Sequence, residues 1–217
     1  MKLILASNNT KKLAELRALL AGLSLDIVSQ TALGIAEADE PHHSFVENAL
    51  AKARHAALAS GCAAIADDSG LCVGALGGAP GVISAHFAGE VALIAGEARE
   101  VRRRRQDAAN NTALLAALDA RAAEGHADRR AHFISTLVAI RHADDPEPLV
   151  AVGRWSGEVL TAPRGDQGFG YDPLMFIPEL SATVAELDAA SKNHHSHRAR
   201  SAALLRAMLV EVWHLGR

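Results

Sequence analysis

The chain has 217 residues, of which 49% are hydrophobic and 22% charged, and its formal net charge is -3 at pH 7. That length fits one sizeable core or two lobes sharing a sheet, and it is too short for two ordinary independent domains. No apolar run approaches the roughly 18 residues of a membrane helix, so we predict a soluble globular protein without a membrane partner. The acidic balance argues against an extended nucleic-acid surface, but it leaves room for small anionic ligands because a site can be locally positive on an acidic protein.

The first predicted element is a strand, Lys2 to Ala6, which meets Ser-Asn-Asn too soon to be a secretion signal. We therefore expect a cytoplasmic protein. Cys62 and Cys72 lack the C-x-x-C spacing of zinc or redox sites. Buried free thiols are favoured over a disulfide.

Further elements follow the first strand. A helix is predicted from about Thr10 to Ala21, and a strand from Leu25 to Ser29. Ser44 and Glu47 have the spacing of a capping box, which predicts a helix from Ser44 to about Ser60. Asn48 and Lys52 are four apart on that helix, so they should share one face.

The second half of the chain combines long helices with a hairpin. Its predicted elements are a short strand from Ala63 that ends in Asp67-Asp68, a glycine-rich loop from Gly74 to Gly81, a mostly helical region from about Gly89 to Gly125, a hairpin of strands near His132 to His142 and Leu149 to Leu160, and a last helix from about His197 to Trp213. This order predicts an α/β fold with a mixed sheet flanked by helices.

The segment Ala66 to Leu71 carries two adjacent carboxylates and a hydroxyl after an apolar run. A buried strand that ends in Asp67-Asp68 would place negative charge at the edge of a sheet, where α/β folds bind ligands. Oxygen ligands of this kind suit Mg²⁺. The alternative is that both aspartates are solvated turn residues before a glycine.

The segment Ser7 to Lys12 lies at the first strand-to-helix turn, where a helix N-terminus and Lys12 could hold phosphate. It matches neither the P-loop nor the Rossmann pattern. An ordinary Asn or Thr helix cap is the alternative, and for this segment alone it is favoured.

Gly168 to Pro173 places two of the chain's few aromatic residues among glycines, which suits stacking on a nucleobase. The alternative is a loop anchored by a buried Phe169. Lys192 to Arg198 offers donors to phosphate or to a base carbonyl, with a basic helix cap or a disfavoured zinc site as alternatives. For Arg102 to Arg105 a solvated helix face is favoured over RNA contact.

Taken together, several short motifs resemble the inosine/xanthosine triphosphate pyrophosphatase family, enzymes that remove non-canonical purine nucleotides. The motifs occur in one order over nearly the whole chain. They are Ser7 to Lys12, Glu40 with Ser44 to Ala49, Ala66 to Leu71, Gly78 to Gly81, Gly168 to Pro173, Ala185 to Leu187, and Lys192 with Ser196 to Arg198.

The resemblance implies a role for each matching residue. Asp68 would be the catalytic carboxylate and, with Glu40, a metal ligand. The implied substrate contacts are Ser7, Asn8, Asn9, Thr10, Lys11, Lys12, Lys52, Ser69, Phe169, Gly170, Tyr171, Asp172, Lys192, His197 and Arg198.

The resemblance also implies the reaction, Mg²⁺-dependent hydrolysis of ITP, dITP or XTP to nucleoside monophosphate and pyrophosphate. It implies an elongated mixed sheet with a substrate groove between two lobes, one two-lobed domain over residues 1–217, and a homodimer. Two alternatives remain: a nucleotide- or RNA-binding protein without turnover, and a hydrolase of another phosphoanhydride.

Overall fold

The computed structural model describes residues 1–216. The strands are β1 (Lys2–Leu5), β2 (Asp26–Ser29), β3 (Ala63–Val73), β4 (Arg130–Ile140), β5 (Leu149–Val159), β6 (Met175–Ile177) and β7 (Ala182–Thr183). The helices are α1 (Thr10–Leu19), α2 (Phe45–Ser60), α3 (Arg99–Ala123), α4 (Ala189–His195) and α5 (His197–Glu211). No helix within residues 1–216 is long and apolar enough to cross a membrane.

The strands form a seven-stranded sheet in the order β2-β1-β3-β4-β5-β6-β7. Strand β1 runs parallel to both of its neighbours, with Leu3 opposite Ile27 in β2 and Ala63 in β3. The pairs β5-β6 and β6-β7 are antiparallel. The predicted mixed sheet flanked by helices is therefore confirmed.

The chain forms two compact units. The first unit contains Met1–Ser69, Ser135–Arg154 and the C-terminal segment from His195, and the second contains Gly70–Ile134 and Trp155–His194. Each of the three longest strands, β3, β4 and β5, contributes residues to both units.

In the first unit, side-chain alternation along the strands produces two apolar layers. Leu3 and Leu5 of β1 pack in one cluster with Leu16 of α1 and Leu205 of α5. Ile4, on the opposite face, belongs to a cluster with the buried alanines of α2. The small alanine side chains let the backbone of α2 approach the sheet closely.

The second unit has its own core. Leu114 and Leu118, one turn apart on α3, cluster with Phe133, Trp155 and Leu174. Tyr171 belongs to the same core and is 5% exposed.

Three sequence predictions need correction, and three short elements were missed. Strand β3 does not end at Asp68 but continues to Val73, because Leu71 and Val73 are buried in the second unit's core. The helical region predicted from Gly89 begins only at Arg99. The short elements β6, β7 and α4 were not predicted, since they are too short for a periodic pattern. Both cysteines are free, as predicted, but half-buried rather than buried.

Candidate active site

Asp67 and Asp68 lie just beyond the end of β1. The pairing of β3 with β1 covers Ala63 to Ile65, and the Ala6 amide then donates to the Ile65 carbonyl at 2.8 Å. After this point β1 gives way to the turn into α1. Because β1 has ended at this point, Asp67 and Asp68 lie at an open edge of the sheet, although β3 itself continues.

The two aspartates point to opposite faces of the sheet because their side chains alternate along β3. Ala63 and Ile65 pack in the layer that contains α1 and α5, and Asp67 continues this series. Ala64 and Ala66 pack in the layer of α2, and Asp68 continues that one.

Asp67 is 3% exposed and holds two cations. Its Oδ2 lies 3.1 Å from Lys12 Nζ and 3.0 Å from Arg198 Nε, while its Oδ1 accepts from Ser135 Oγ at 3.0 Å. The Ser69 hydroxyl also donates to Oδ1. Burial alone would raise the pKa of Asp67, but Lys12 and Arg198 together hold it well below its usual value. Asp67 therefore stays ionised to lower pH than an ordinary aspartate.

Asp68 pairs with Lys52, a cation that it shares with a second carboxylate. Lys52 Nζ lies 2.9 Å from Asp68 Oδ1 and 3.1 Å from Glu40 Oε1, and it donates to the Asp67 carbonyl at 3.2 Å. Burial raises the pKa of Asp68 to about 6, against the opposing charge of Lys52. Asp68 Oδ2 is buried and has no hydrogen-bond partner among residues 1–216. We call Glu40, Lys52 and Asp68 the acid–lysine cluster.

Helix α2 positions Lys52 and, indirectly, Glu40. The Ser44 Oγ caps its N-terminus by accepting from the Glu47 amide at 3.4 Å, and it donates to the Glu47 carboxylate at 2.5 Å. One turn before Lys52, the buried Asn48 side chain accepts from the His42 amide at 3.0 Å and donates to its carbonyl at 3.2 Å. The predicted shared face of Asn48 and Lys52 is confirmed. The two hydrogen bonds between Asn48 and His42 fix the segment that follows Glu40.

The turn from Ser7 to Lys12 is an ordered helix cap. Asn9 Oδ1 accepts from the amides of Lys11 at 3.0 Å and Lys12 at 3.3 Å, and Ser7 Oγ accepts from the Asn9 amide at 3.2 Å. The Asn8 side chain accepts from Gln30 Nε2 at 3.2 Å. Thr10 and Lys11 are exposed at the start of α1. Two amides that a phosphate could bind are thus already engaged by Asn9, while Lys12 extends to Asp67.

Arg198 completes the charge network of the first unit. It is 5% exposed, and besides Asp67 it contacts Glu15, with Arg198 Nη1 at 2.5 Å from Glu15 Oε2. His197 is buried at the first position of α5. The resemblance implies that both residues contact the substrate, and in the structure Arg198 also pairs with Asp67.

Sequence reasoning also missed Glu15 and Ser135. Glu15 lies three residues after Lys12 on α1, a spacing that places both on one helix face and could have revealed it. Ser135 lies in the middle of a buried strand, where a hydroxyl needs a polar partner.

The second unit contains the aromatic loop, which we define as Gly168 to Asp172. The Asp172 Oδ2 atom accepts from the Phe169 amide at 2.9 Å and from Lys192 Nζ at 2.5 Å. Lys192 Nζ also lies 4.7 Å from the centroid of the half-buried Phe169 ring. Gly168 has φ +79°, and a Cβ there would lie 2.1 Å from Asp172 Oδ2, so this turn requires glycine.

Tyr171 serves the core rather than the loop surface. Its hydroxyl donates to the Ser84 carbonyl at 2.8 Å, and burial, with a smaller contribution from Asp107, raises its pKa. Of the loop's two aromatic rings, Phe169 is thus the more accessible.

The arginine run does not form one solvated face. Arg105 Nε donates to Glu97 Oε1 at 2.8 Å, and the Arg103 guanidinium lies 4.7 Å from the Phe169 centroid. Arg102 lies 3.8 Å from Glu90. Only Arg104 is classed as exposed, so the prediction of a solvated face holds for that residue alone.

Within residues 1–216, no three His, Cys, Asp or Glu side chains converge in a way that could hold a metal ion. The zinc alternative therefore gains no support. The acid–lysine cluster supplies two carboxylates, a number that suits Mg²⁺, which commonly takes its remaining ligands from water and phosphate.

The mixed sheet flanked by helices defines an α/β protein, and in its acid–lysine cluster Lys52 and Asp68 are buried while Glu40 is exposed. A family model described as the Ham1 family matches residues 3–208, and the chain belongs to this family. The resemblance drawn from the motifs is thereby confirmed.

Relatives match this chain over almost its full length. A Leptothrix cholodnii protein named dITP/XTP pyrophosphatase is 65% identical over 216 residues, covering 99% of this chain and 100% of that protein. A Methylibium petroleiphilum protein of the same name is 62% identical over 213 residues, covering 98% and 99%. The solved structure of a HAM1 protein from Coxiella burnetii has a TM-score of 0.86 at 40% identity, covering 97% of this chain and 99% of that one.

Proposed function

We propose that this chain hydrolyses non-canonical purine nucleoside triphosphates, namely dITP, XTP and ITP, to the nucleoside monophosphate and pyrophosphate. The names of full-length relatives support the reaction. The observation that carries it in this chain is the acid–lysine cluster, in which Lys52 is held between Asp68 and Glu40 at 2.9 and 3.1 Å.

Mg²⁺ is the proposed cofactor, with Asp68 and Glu40 as its protein ligands. The donors fit, because both are carboxylates and the buried Asp68 Oδ2 lacks a hydrogen-bond partner among residues 1–216. When bound, Mg²⁺ would supply charge neutralisation for the phosphate oxygens. Lys52 offsets part of the negative charge of both acids, and its ammonium could turn from them to a phosphate.

Asp68 is the proposed general base. In the absence of a bound cation, burial raises its pKa to about 6, so its ionised form accepts a proton more readily than an ordinary carboxylate. Asp67 is a poor candidate for this role because two cations lower its pKa. Lys12 and Lys52 would stabilise the negative charge that develops on the leaving pyrophosphate.

Phe169 of the aromatic loop and Lys192 of α4 are the proposed base contacts. A half-buried ring can stack on a purine, worth about 1–3 kcal/mol per base. Lys192 could donate to a 6-oxo group, whereas the 6-amino group of adenine would leave that donor unpaired. Asp172 orients Lys192 through their 2.5 Å contact.

We further propose that residues 1–217 act as one two-lobed nucleotide pyrophosphatase domain, in a homodimer and in the cytoplasm. These points come from the resemblance. Size-exclusion chromatography with light scattering tests the dimer, and a monomer at micromolar concentration would contradict it.

The decisive experiment is a panel of ITP, dITP, XTP, GTP and ATP with Mg²⁺, with pyrophosphate and orthophosphate measured separately. We expect pyrophosphate from the first three and little from ATP. Release of orthophosphate alone would indicate a phosphatase, and ITP binding without turnover would indicate the non-catalytic alternative.

Asp68→Asn tests the role of the cluster. It should reduce pyrophosphate release at least about 100-fold, because it removes the proposed base and one metal ligand together. Asp144→Asn makes the same chemical change at an exposed position and should leave the rate unchanged. Retained turnover in Asp68→Asn would overturn the assignment.

A further inference from the structure

Three side chains of α3 contact the aromatic loop of the second unit. The Arg103 guanidinium lies over the Phe169 ring at 4.7 Å from its centroid. Asp107 Oδ2 accepts from the Gly170 amide at 2.9 Å, and Asn111 Nδ2 donates to the Gly170 carbonyl at 3.0 Å. Both backbone groups of one loop glycine are thus held by this helix.

The spacing of these side chains is regular. Positions 103, 107 and 111 are each four residues apart, so they form one row along the helix surface. The adjacent row serves another segment, since Gln106 donates to the Gly89 carbonyl at 2.7 Å and Asn110 to the Ala85 carbonyl at 3.0 Å. The row that contains Arg103 is therefore dedicated to the aromatic loop.

We infer that Arg103, Asp107 and Asn111 are positioning residues that hold Phe169 ready to stack on the base of the nucleotide. The inference rests on the proposed function for the identity of the ligand. Asp107 and Asn111 fix the loop backbone at Gly170, next to Phe169, and Arg103 fixes the ring by a cation–π contact. A ring held in place before binding loses less conformational entropy when the base arrives.

The arginines at positions 103 to 105 differ in their contacts. Arg103 faces the loop, Arg105 is tied to Glu97 at 2.8 Å, and Arg104 is exposed to solvent. Lys would replace Arg103 poorly, because the planar guanidinium can lie flat on a ring whereas an ammonium is a point charge.

Kinetics of Arg103→Ala against the matched control Arg104→Ala test the proposal. Arg103→Ala should raise KM for ITP and XTP about three- to fivefold, the size of one half-exposed cation–π contact, with kcat changed less than about twofold. Arg104→Ala should change neither constant. In a Phe169→Ala background the effect of Arg103→Ala should vanish, because Arg103 acts through that ring.

A ligand-free readout separates failure of this inference from failure of the proposed function. Hydrogen exchange of residues 168–172 should accelerate about fivefold in Asp107→Ala and stay near wild type in Asp107→Asn, whose amide oxygen can still accept. Arg103→Ala should accelerate the Phe169 amide, and Arg104→Ala should not. If the wild type released no pyrophosphate but showed these changes, the positioning would stand and the function would fall.

Three outcomes would overturn the inference: unchanged loop exchange in Asp107→Ala, equal KM changes in the two arginine variants, or an effect of Arg103→Ala that persists without Phe169. If Arg103 had only a general structural role, Arg103→Ala would instead lower Tm and slow turnover equally in the wild-type and Phe169→Ala backgrounds.

Discussion

Asp67→Asn should destabilise the fold strongly, whereas Asp68→Asn should not. The Asp67 carboxylate is 3% exposed and neutralises Lys12 and Arg198 at 3.1 and 3.0 Å. In Asp67→Asn the amide oxygen can still accept from Ser135, but the negative charge between Lys12 and Arg198 is lost. Breaking a buried ion pair in this way costs about 3–5 kcal/mol, and the second partner of Arg198, Glu15, places the expected loss near the lower end.

Asp68→Asn is the matched control because it changes the same atoms one residue away. Burial disfavours the charge of Asp68, as its raised pKa of about 6 indicates, and Lys52 retains Glu40 at 3.1 Å. We expect its free energy of unfolding to stay within about 1 kcal/mol of wild type, or to rise.

Urea unfolding at pH 8, without metal or nucleotide and followed by tryptophan fluorescence, measures both variants. The free energies should come from full curves, with m-values compared so that a change in the unfolded state is not mistaken for lost stability. Equal stability of Asp67→Asn and wild type, or equal losses in the two variants, would refute the electrostatic distinction between the aspartates.

Three further predictions concern the first unit. Gly153→Ala should cost about 3 kcal/mol or more in urea unfolding, because its Cβ would lie 2.0 Å from the His197 carbonyl oxygen; Gly74→Ala, with 3.7 Å to its nearest atom, should be tolerated. Burial would raise the pKa of Asp145, but its bonds to Arg141 lower it to about 2. Above pH 4, wild type should therefore be more stable than Asp145→Asn by about 1 kcal/mol. That advantage should disappear as pH falls from 4 to 2, and an unchanged difference at pH 2 would contradict it. Asn48→Ala should raise the Mg²⁺ concentration needed for half-maximal pyrophosphate release, because the segment after Glu40 loses both bonds to His42; an unchanged requirement would argue against Glu40 as a ligand.

The elements of regular pattern were predictable from the sequence. The strand before Ser7, the helix after Ser44 and the hairpin strands all follow from apolar periodicity and local turn signals, which act over a few residues. The shared helix face of Asn48 and Lys52 was also accessible from their four-residue spacing, whereas the carboxylates that Lys52 contacts were not.

Other features depend on contacts between distant residues and carry no local signal. The extension of β3 beyond Asp68 depends on the burial of Leu71 and Val73 in a core built from sequence positions up to 184. Ser69-Gly70 looks like a turn locally, and tertiary packing overrides it. The pairing of Arg198 with Asp67 spans 131 residues, so neither the position of Arg198 nor its partner could be read from its own segment.

The different fates of two adjacent aspartates follow from strand geometry. Successive side chains in β3 face opposite layers, so Asp67 enters the layer of α1 and α5, which supplies Lys12 and Arg198. Asp68 enters the layer of α2, which supplies Lys52, a cation already shared with Glu40. The pKa of the first carboxylate is therefore lowered, while the second has a raised pKa and an oxygen without a hydrogen-bond partner among residues 1–216. A one-residue shift in the register of β3 would exchange these environments, so the alternation of side chains along the strand decides which aspartate pairs with Lys12 and Arg198 and which pairs with Lys52.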